Sequence, residues 1–340
     1  MSVSQVVFIA GGNATRLKSV IGDLPKCLIE IGGEALIEQN IQRFSKQGIE
    51  KFHVLLGVGA DQVISKLESI AKRLNVEITH SIEHIPLGTG GALLNSLESL
   101  DENFLVAHGD LYIDFNTEYM KEVLLHGPID YAQVFHASSH MDDSDLIVLD
   151  EDECISDYIL KPHPKNILAR NQTNAGVYGF SKSVLKRVAW QGERLDLDRE
   201  LLPFLLRSGA IAKGIQNTGF IKDVGTPERL EQIQKDLKSP FRTSQLRPAL
   251  FIDRDGTLNV ERGHINTPDA IEIYPDVFEL IQFCNIHGIR VIVITNQPVI
   301  ARGEATIQTL NSIHARVDQI LGESGLFIDS YMYCPHHFFR

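Results

Sequence analysis

Apolar and polar positions change their spacing in a regular order along the first two thirds of the chain. Largely apolar runs at 6–10, 52–56 and 104–110 are typical of strands buried on both faces of a sheet. Helical spacing follows the first run at 36–44 and the second at 60–73, and a further strand is predicted at 76–80. Alternating strands and helices predict an α/β domain whose parallel sheet is covered on both faces.

The pattern breaks at 239–244, where Ser-Pro-Phe-Arg-Thr-Ser has no periodicity and is typical of a linker. Apolar runs resume at 249–253 and 292–296, which predicts a second set of buried strands. With 340 residues, the chain is long enough for two separate cores. We therefore predict a first domain over 1–237, a linker over 238–247 and a second domain over 248–340.

Composition and charge narrow the classes of function. The chain is 43% hydrophobic and 22% charged, as in ordinary globular proteins. Its net charge of −12 argues against nucleic-acid and anionic-membrane partners, which require basic surfaces. Four scattered cysteines show no disulfide framework, and no apolar stretch approaches membrane-spanning length. We expect a cytoplasmic protein that holds anionic ligands with local cations.

The loop after the first strand carries residues suited to a triphosphate. Gly11 and Gly12 let backbone N–H groups crowd round an anion, because no Cβ blocks the approach. Arg16 and Lys26 add two positive charges to this loop. The alternative is an ordinary strand-to-helix turn with two solvated cations.

A second glycine-rich stretch occupies 81–93, with the sequence Ser-Ile-Glu-His-Ile-Pro-Leu-Gly-Thr-Gly-Gly-Ala-Leu. Gly90 and Gly91 would let a flat or anionic group press on the backbone, although such a loop can also simply cap the helix that follows. Asp110 and Asp223 each follow a predicted strand, at the sheet edge where α/β proteins bind ligands. Two carboxylates and a triphosphate are a sufficient ligand set for Mg²⁺, whereas a lone strand-end aspartate often only caps a turn.

The first loop, with Gly-Gly, Thr-Arg-Leu and then Pro-Lys, resembles the signature of sugar-1-phosphate nucleotidyltransferases. Within that family, the segment 16–26 is most similar to the branch that activates heptose 1-phosphate with guanosine triphosphate. The resemblance covers about 1–237 and implies a Rossmann-like, glycosyltransferase-A-like mixed sheet flanked by helices. Ala14 stands where the family has a third glycine, and Leu160 replaces a glutamate that contacts the sugar.

The resemblance assigns roles to individual residues. It makes Arg16 and Lys26 the catalytic cations and Asp110 and Asp223 the Mg²⁺ ligands. The implied nucleotide-binding residues are Ala10, Gly11, Gly12, Glu83, Pro86, Gly88, Thr89 and Gly90, and those for the sugar phosphate are Lys161, Asn174, Gly176 and Asp198.

Glu83 stands where thymidylyl- and uridylyl-transferring relatives commonly carry glutamine. A carboxylate only accepts hydrogen bonds, and guanine offers two adjacent donors, so Glu83 favours GTP. The expected partners are therefore a nucleoside triphosphate and a sugar 1-phosphate, with self-association left open.

The second domain begins with a pair of carboxylates. Asp253 and Asp255 lie one residue apart at the end of a predicted strand, which is costly unless a cation or a reacting phosphate lies between them. With Gly256 and Thr257 they form a DxDGT sequence that resembles haloacid-dehalogenase-type phosphatases, and hence a partial Rossmann-like domain of that type. The resemblance implies that Asp253 is the nucleophile, Asp255 the acid, and both Mg²⁺ ligands.

Further residues extend this second resemblance. Thr295 and Asn296 match the phosphate-binding segment, and Cys334 and His336 resemble half of the structural Zn²⁺ site of heptose 1,7-bisphosphate phosphatases. The family's later lysine, acidic motif and remaining zinc cysteines would follow residue 340. We expect residues 1–340 to lack phosphatase activity and the first domain to work without the second.

These patterns predict an enzyme that joins a sugar 1-phosphate to a nucleoside triphosphate with release of pyrophosphate, in nucleotide-sugar biosynthesis. A bisphosphate phosphatase yields the sugar 1-phosphate that such a transferase consumes. This match favours the presence of both domains in one chain. The alternative is a catalytically weak module that binds nucleotide sugars and regulates a partner. Ala14 and Leu160 favour that alternative, while Arg16, Lys26 and the aspartate pair favour the enzyme.

Overall fold

A computed structural model of the chain describes residues 2–12, 15–164, 167–239 and 247–336. Contacts divide the chain into two compact units, and the division cuts across the sequence order. The first unit comprises Met1–Val134, Glu153–Ser156 and Ala175–Ser239, and the second comprises Phe135–Asp152, Asp157–Asn174 and Pro240–Arg340. The predicted domain limits, 1–237 and 248–340 with a linker between them, stay a prediction.

The strands are β1 (Gln5–Ile9), β2 (Glu30–Ile31), β3 (Glu34–Ala35), β4 (Lys51–Leu56), β5 (Glu77–Ile82), β6 (Asn103–His108), β7 (Leu111–Asp114), β8 (Tyr131–His136), β9 (Leu146–Leu149), β10 (Ile155–Ile159), β11 (Thr173–Ser181), β12 (Ala212–Gln216), β13 (Phe220–Asp223), β14 (Ala249–Asp253), β15 (Arg290–Asn296) and β16 (Ser330–Cys334).

The α-helices are α1 (Lys18–Ile21), α2 (Leu36–Ser45), α3 (Ala60–Leu74), α4 (Gly88–Asn95), α5 (Glu118–His126), α6 (Lys182–Leu185), α7 (Leu202–Arg207), α8 (Pro227–Asp236), α9 (Pro275–His287) and α10 (Ile307–Gly322). One turn of π-helix, Leu197–Leu201, leads into α7. The strands and helices predicted from periodicity are confirmed, with ends that differ by a residue or two.

The first unit is built on a mixed sheet. Strand β1 pairs in parallel with β4 on one side and β6 on the other, β5 extends the sheet beyond β4, and β11 lies antiparallel to β6. Every residue of β1 is buried, which explains its uninterrupted apolar sequence. The α/β prediction with a mixed sheet and flanking helices is confirmed for this unit.

A separate two-stranded ribbon joins two distant parts of the first unit. Strands β7 and β13 pair antiparallel, with Asp223 opposite Leu111. Asn40 of α2 supports this ribbon from inside the core, because its amide donates to Leu111 O (2.6 Å) and accepts from Ile113 N (3.1 Å). The ribbon brings Asp110, which immediately precedes β7, beside Asp223 at the end of β13.

The second unit contains a parallel sheet in the order β14–β15–β16, with α9 and α10 packed into its core. The same unit includes β9, most of β10 and the start of β11, where Thr173 pairs with Leu146. Three side chains of β14–β16 form an apolar row that is largely exposed: Phe251 at 61%, Ile294 at 45% and Met332 at 53%. The sequence analysis missed that the segments 135–152 and 157–174 pack with this unit.

Across the described ranges, no helix has both the length and the apolar character needed to span a bilayer.

Candidate active site

Three strand ends of the first unit approach one another so closely that side chains do not fit between them. Gly109 N donates to Ile9 O (2.8 Å), which brings the chain after β6 against the end of β1. A Cβ on Gly57 would lie 2.7 Å from Gly11 O, and a Cβ on Gly109 would lie 3.0 Å from Ile9 O. These distances leave little room for a side chain at either position, so the close approach of the strand ends favours glycine at both.

Glu83 lies beside this glycine cluster. Its Oε2 accepts from Leu87 N (2.9 Å), and its Oε1 lies 2.8 Å from the point that a Cβ on Gly11 would occupy. The backbone of Glu83 is fixed as well, since its N–H donates to Leu56 O (2.9 Å). The carboxylate is therefore held next to the predicted phosphate loop.

The rest of that loop is described only in part. Among the described residues, no atom lies within 4 Å of the point that a Cβ on Gly12 would occupy. Ala14, which departs from the family pattern, lies outside the described residues.

Lys26 and Asp110 form an ion pair, with 2.9 Å between Nζ and Oδ2, and both side chains are mostly buried. Burial raises the pKa of Asp110, but the charges of Lys26 and His108 outweigh it, and the pKa lies below its usual value. Asp110 is therefore ionised at neutral pH and attracts a cation. The predicted catalytic cation and the first predicted metal ligand thus lie in direct contact.

Asp223 lies on the neighbouring strand end, where Val224 N donates to Asp110 O (2.9 Å). Its Oδ2 accepts from Arg229 Nη1 (2.7 Å). Arg16 reaches the same place: a Cβ on Gly225 would lie 2.6 Å from Asp223 Oδ2 and 3.8 Å from Arg16 Nη2. The sequence analysis missed Arg229, although its position in the Gly-Thr-Pro-Glu-Arg run after Asp223 was a signal.

The two carboxylates fit a magnesium ion that also binds phosphate. Mg²⁺ in such sites takes one or two carboxylates and completes its shell with phosphate oxygens and water. Within the described part of the chain, no three His, Cys, Asp or Glu side chains cluster as an all-protein metal site. Asp110 and Asp223 could supply two of the ligands of such an ion, with the rest coming from phosphate and water.

The second glycine-rich loop has a structural role that the sequence analysis did not predict. We expected the backbone at Gly90 and Gly91 to be open to a ligand, but both N–H groups donate to Leu195 O (2.9 and 3.1 Å). Gly88 has φ +75°, and a Cβ there would lie 2.5 Å from the same carbonyl. Thr89 is engaged too, since its Oγ1 accepts from Leu197 N (2.8 Å). The glycines therefore allow the segment 194–197 to pack closely against this loop. A nucleotide that binds the loop would make its contacts beside this packing.

Asp198 is the centre of a polar cluster in the first unit. It accepts from Tyr178 OH and lies 3.3 Å from His108 Nε2. Burial lowers the pKa of His108, but the hydrogen bond and charge of Asp198 outweigh it, and the pKa is raised. Gly176 (φ +73°) makes room for the cluster, since a Cβ there would lie 2.9 Å from His108 Cδ2. The sequence analysis missed His108, whose signal is a polar ring two residues before Asp110.

Lys161 and Asn174 belong to the second unit, and both are attached to Asp145. Asp145 Oδ1 accepts from Lys161 N (2.8 Å), and Asp145 O accepts from Asn174 N (3.0 Å). The Lys161 ammonium donates to Asp143 O (2.7 Å). Asp145 therefore joins the two residues that the resemblance assigns to the sugar phosphate.

Residues 5–239, more than two thirds of the chain, match the sequence model of the family described as Nucleotidyl transferase. The chain belongs to the nucleotidyl transferase family.

Several guanylyltransferases are similar to this nucleotidyl transferase. It is 27% identical over 234 residues to the mannose-1-phosphate guanylyltransferase catalytic subunit beta of Drosophila pseudoobscura pseudoobscura, a match that covers 66% of this chain and 60% of that protein. It is 29% identical over 241 residues to a putative mannose-1-phosphate guanyltransferase of Sulfolobus acidocaldarius, covering 69% of this chain and 63% of that one. The chain thus spans less than two thirds of the length of these relatives.

Solved structures agree with the fold. HddC from Yersinia pseudotuberculosis has a TM-score of 0.58 and 25% identity to this chain, covering 70% of this chain and all of that one, and HddC has also been solved in complex with GMP-PN. The inositol-1-phosphate CTP transferase from T. maritima, at 19% identity and a TM-score of 0.57, shares the fold.

The second unit has a groove of about 580 Å³ at the carboxyl ends of β14, β15 and β16. It brings together three of the predicted phosphatase residues, Asp253, Thr295 and Asn296, and adds Cys334. The predicted zinc ligands Cys334 and His336 lie 3.7 Å apart (Sγ to Nδ1). In the described residues, no third histidine, cysteine or acidic side chain joins these two.

The surroundings of Asp255 favour its ionised form rather than the protonated form that a general acid needs. Arg254, which is fully buried, binds its carboxylate through two hydrogen bonds (2.9 and 2.7 Å), and Gln297 adds a third (2.8 Å). Burial raises the pKa of Asp255, but Arg254 outweighs it, and the pKa lies below its usual value. A general acid needs a proton to give, so this environment opposes the role that the resemblance implies.

The contact between Gly88 and Leu195 O can be tested with one substitution. Gly88→Ala and Gly48→Ala both place a side chain at positive φ (+75° and +82°), which costs about 1–2 kcal/mol. Only Gly88→Ala also forces a Cβ against a backbone carbonyl, whereas nothing lies within 4 Å at Gly48. We expect Gly88→Ala to lose about 1–3 kcal/mol more free energy of unfolding in urea titrations. Equal losses would contradict the described packing.

Proposed function

We propose that the protein transfers a nucleotidyl group from a nucleoside triphosphate to a sugar 1-phosphate and releases pyrophosphate. One observation carries the proposal: Arg16, Lys26, Asp110 and Asp223 converge beside a glycine cluster at the strand ends of the first unit. Cations can neutralise a triphosphate there, and the carboxylates can hold its metal ion. Membership of the nucleotidyl transferase family supports the same reaction class.

The proposed donor is GTP and the proposed acceptor is heptose 1-phosphate. The names of the relatives as guanylyltransferases, and the complex of the similar HddC structure with GMP-PN, support a guanine nucleotide. Glu83, beside the loop, offers a carboxylate to the two guanine donors. The heptose assignment rests on the sequence of 16–26 and on the phosphatase-like C-terminal region.

In the proposed reaction, an oxygen of the sugar phosphate attacks the α-phosphorus, the new P–O bond forms, and the bond to pyrophosphate breaks. Lys26 and Arg16 neutralise the charge that spreads over the phosphate oxygens, and alignment does the rest. Bound at Asp110 and Asp223, Mg²⁺ would supply further charge neutralisation. We propose that Lys161 and Asn174 bind the sugar phosphate, supported by their common attachment to Asp145.

Pyrophosphate release is the direct test of this function. We would assay GTP, UTP, CTP, ATP and dTTP against heptose 1-phosphate, mannose 1-phosphate and glucose 1-phosphate, with and without Mg²⁺. The proposal requires turnover with GTP and one sugar 1-phosphate. Nucleotide binding without turnover for every pair would instead support the regulatory module.

The metal carboxylates can be removed without changing their shape. We expect Asp110→Asn and Asp223→Asn each to lower kcat at saturating Mg²⁺ by at least about a hundredfold, because each removes one charge that stabilises the reacting phosphates. Asp61→Asn, at an exposed carboxylate of α3, is the matched control and should leave kcat unchanged. Near-normal turnover in both variants would exclude the proposed metal pair.

Base selection should depend on Glu83. In Glu83→Gln the amide oxygen can still accept from Leu87 N, so the loop is retained, but an NH₂ group replaces the second acceptor. We expect the preference for GTP over UTP, measured as a ratio of kcat/KM, to fall by about 1–3 kcal/mol. Glu77→Gln, an exposed position at the start of β5, is the control. If the ratio is the same in all three proteins, Glu83 does not read the base.

For the second unit we propose a phosphate-binding site of the haloacid-dehalogenase type with little hydrolytic activity. The groove that holds Asp253, Thr295 and Asn296 supports phosphate binding, and the Arg254 pair that keeps Asp255 ionised opposes protonation of a leaving group. Mg²⁺ at the Asp253 and Asp255 pair, and Zn²⁺ at Cys334 and His336, remain parts of this proposal.

Phosphate release from heptose 1,7-bisphosphate by residues 1–340 measures that activity. We expect release at or near the uncatalysed background, because the hydrogen bonds from Arg254 and Gln297 lower the pKa of Asp255 and oppose protonation of a leaving group. If so, the variant Asp253→Asn should release phosphate at the same background rate as the control variant Asp269→Asn, which changes an exposed carboxylate. Rapid release that is abolished by Asp253→Asn but retained in Asp269→Asn would contradict the expectation.

A further inference from the structure

We infer that α10 of the C-terminal region positions the strand that carries Asn174, through Asp318, and so contributes to selection of the sugar phosphate without touching it. The inference rests on the proposed transferase function. It differs from the expectation that the nucleotidyl transferase part works independently of the region after the linker. All residues in the argument belong to the second unit.

Asp318 is the node of the contact. It is 2% exposed on α10, and its Oδ2 accepts from Arg170 Nε (2.8 Å) and from the backbone N–H of Asn171 (3.0 Å). Its other oxygen accepts from Tyr331 OH (2.7 Å). A buried carboxylate is tolerated only when it is paired and hydrogen-bonded, and Asp318 meets both conditions through the 167–174 segment.

Aromatic and charged neighbours hold this network in one arrangement. The Arg170 guanidinium lies 4.3 Å above the Tyr331 ring, and His314 stacks on the same ring at 4.4 Å. Burial, followed by the charges of Arg170 and Arg254, keeps the pKa of His314 well below its ordinary value, so the ring is neutral. Burial and the charge of Asp318 hold the pKa of Tyr331 well above its ordinary value, so its hydroxyl stays a donor.

The network continues toward the proposed sugar-phosphate residues. The Asn171 side chain donates to Ser138 O (2.8 Å) and accepts from Ser138 N (3.0 Å), which ties the braced segment to its neighbour. Asn174 follows three residues later, about 10 Å along an extended chain. Its N–H donates to Asp145 O, and Asp145 also accepts from Lys161 N.

Loss of Asp318 would therefore act at a distance. It would leave Asn171 N–H and Tyr331 OH without their acceptor and Arg170 without its counter-ion, and the segment that leads to Asn174 would gain freedom. Because Asn174 and Lys161 share Asp145, both proposed sugar-phosphate contacts would be less well positioned. Asp318 is thus a positioning residue, and its effect should fall on the acceptor substrate.

The test uses the full chain and separates positioning from stability. The variants are Asp318→Ala, the milder Asp318→Asn, and Leu321→Ala as the control. Leu321 lies one turn further along α10, is fully buried in the same core, and its side chain has no polar atom to hydrogen-bond. All assays would be run below the unfolding transitions, with circular dichroism confirming that each protein is folded.

We expect Asp318→Ala to raise KM for the sugar 1-phosphate by about three- to thirtyfold, with KM for GTP changed by less than about twofold. Asp318→Asn should give a smaller rise, since its amide oxygen still accepts from Asn171 N–H. Leu321→Ala should leave both KM values unchanged. Hydrogen exchange of the Asn171 and Asn174 amides should be faster in Asp318→Ala than in Leu321→Ala.

Two outcomes would overturn the inference while leaving the transferase intact. One is unchanged KM for the sugar 1-phosphate in an active Asp318→Ala. The other is an equal rise in Leu321→Ala, which would mean that general loosening of the unit is responsible. Absence of turnover in the wild-type protein would instead overturn the proposed function, and the selection role with it.

Discussion

Close approach of backbone at the carboxyl ends of three parallel strands is the constraint on which the candidate site depends. A single Cβ at Gly57 would collide with Gly11 O, and one at Gly109 would press on Ile9 O. Because the strand ends are this close, Glu83 lies against the first loop and Asp110 emerges beside the end of β1. The glycines therefore permit the close spacing that brings Glu83 to the first loop and Asp110 to the end of β1.

Both units pair carboxylates with nearby cations, but the pairs have different roles. In the first unit, Lys26 pairs with Asp110 and Arg229 pairs with Asp223, the two carboxylates of the proposed metal site. In the second unit, Arg170 neutralises Asp318 inside the protein, where the pair joins two segments. In the first unit the ion pairs lie at the proposed ligand site, whereas in the second unit the ion pair joins two segments of the chain.

The DxDGT motif illustrates how neighbours decide chemistry. Asp253 and Asp255 are identical in type and separated by a single residue, yet Asp253 lines a groove while Asp255 is bound by Arg254 and Gln297. Motif matching assigned them complementary roles as nucleophile and acid. Two of the hydrogen bonds to Asp255 come from the buried side chain of Arg254, which lies between the two aspartates. The motif alone does not predict where that side chain points.

The sequence by itself determined the strands and helices, the glycine loop and the carboxylates at strand ends, because periodicity and turn chemistry are local. Only the tertiary structure decided that Asp223 lies beside Asp110, that Leu195 fills the space at Gly88, and that Asp318 accepts from the backbone of Asn171, just before the strand that carries Asn174. Each of these depends on pairing between segments far apart in the chain. Local periodicity reports which positions are buried, but it carries no information on which distant partner buries them.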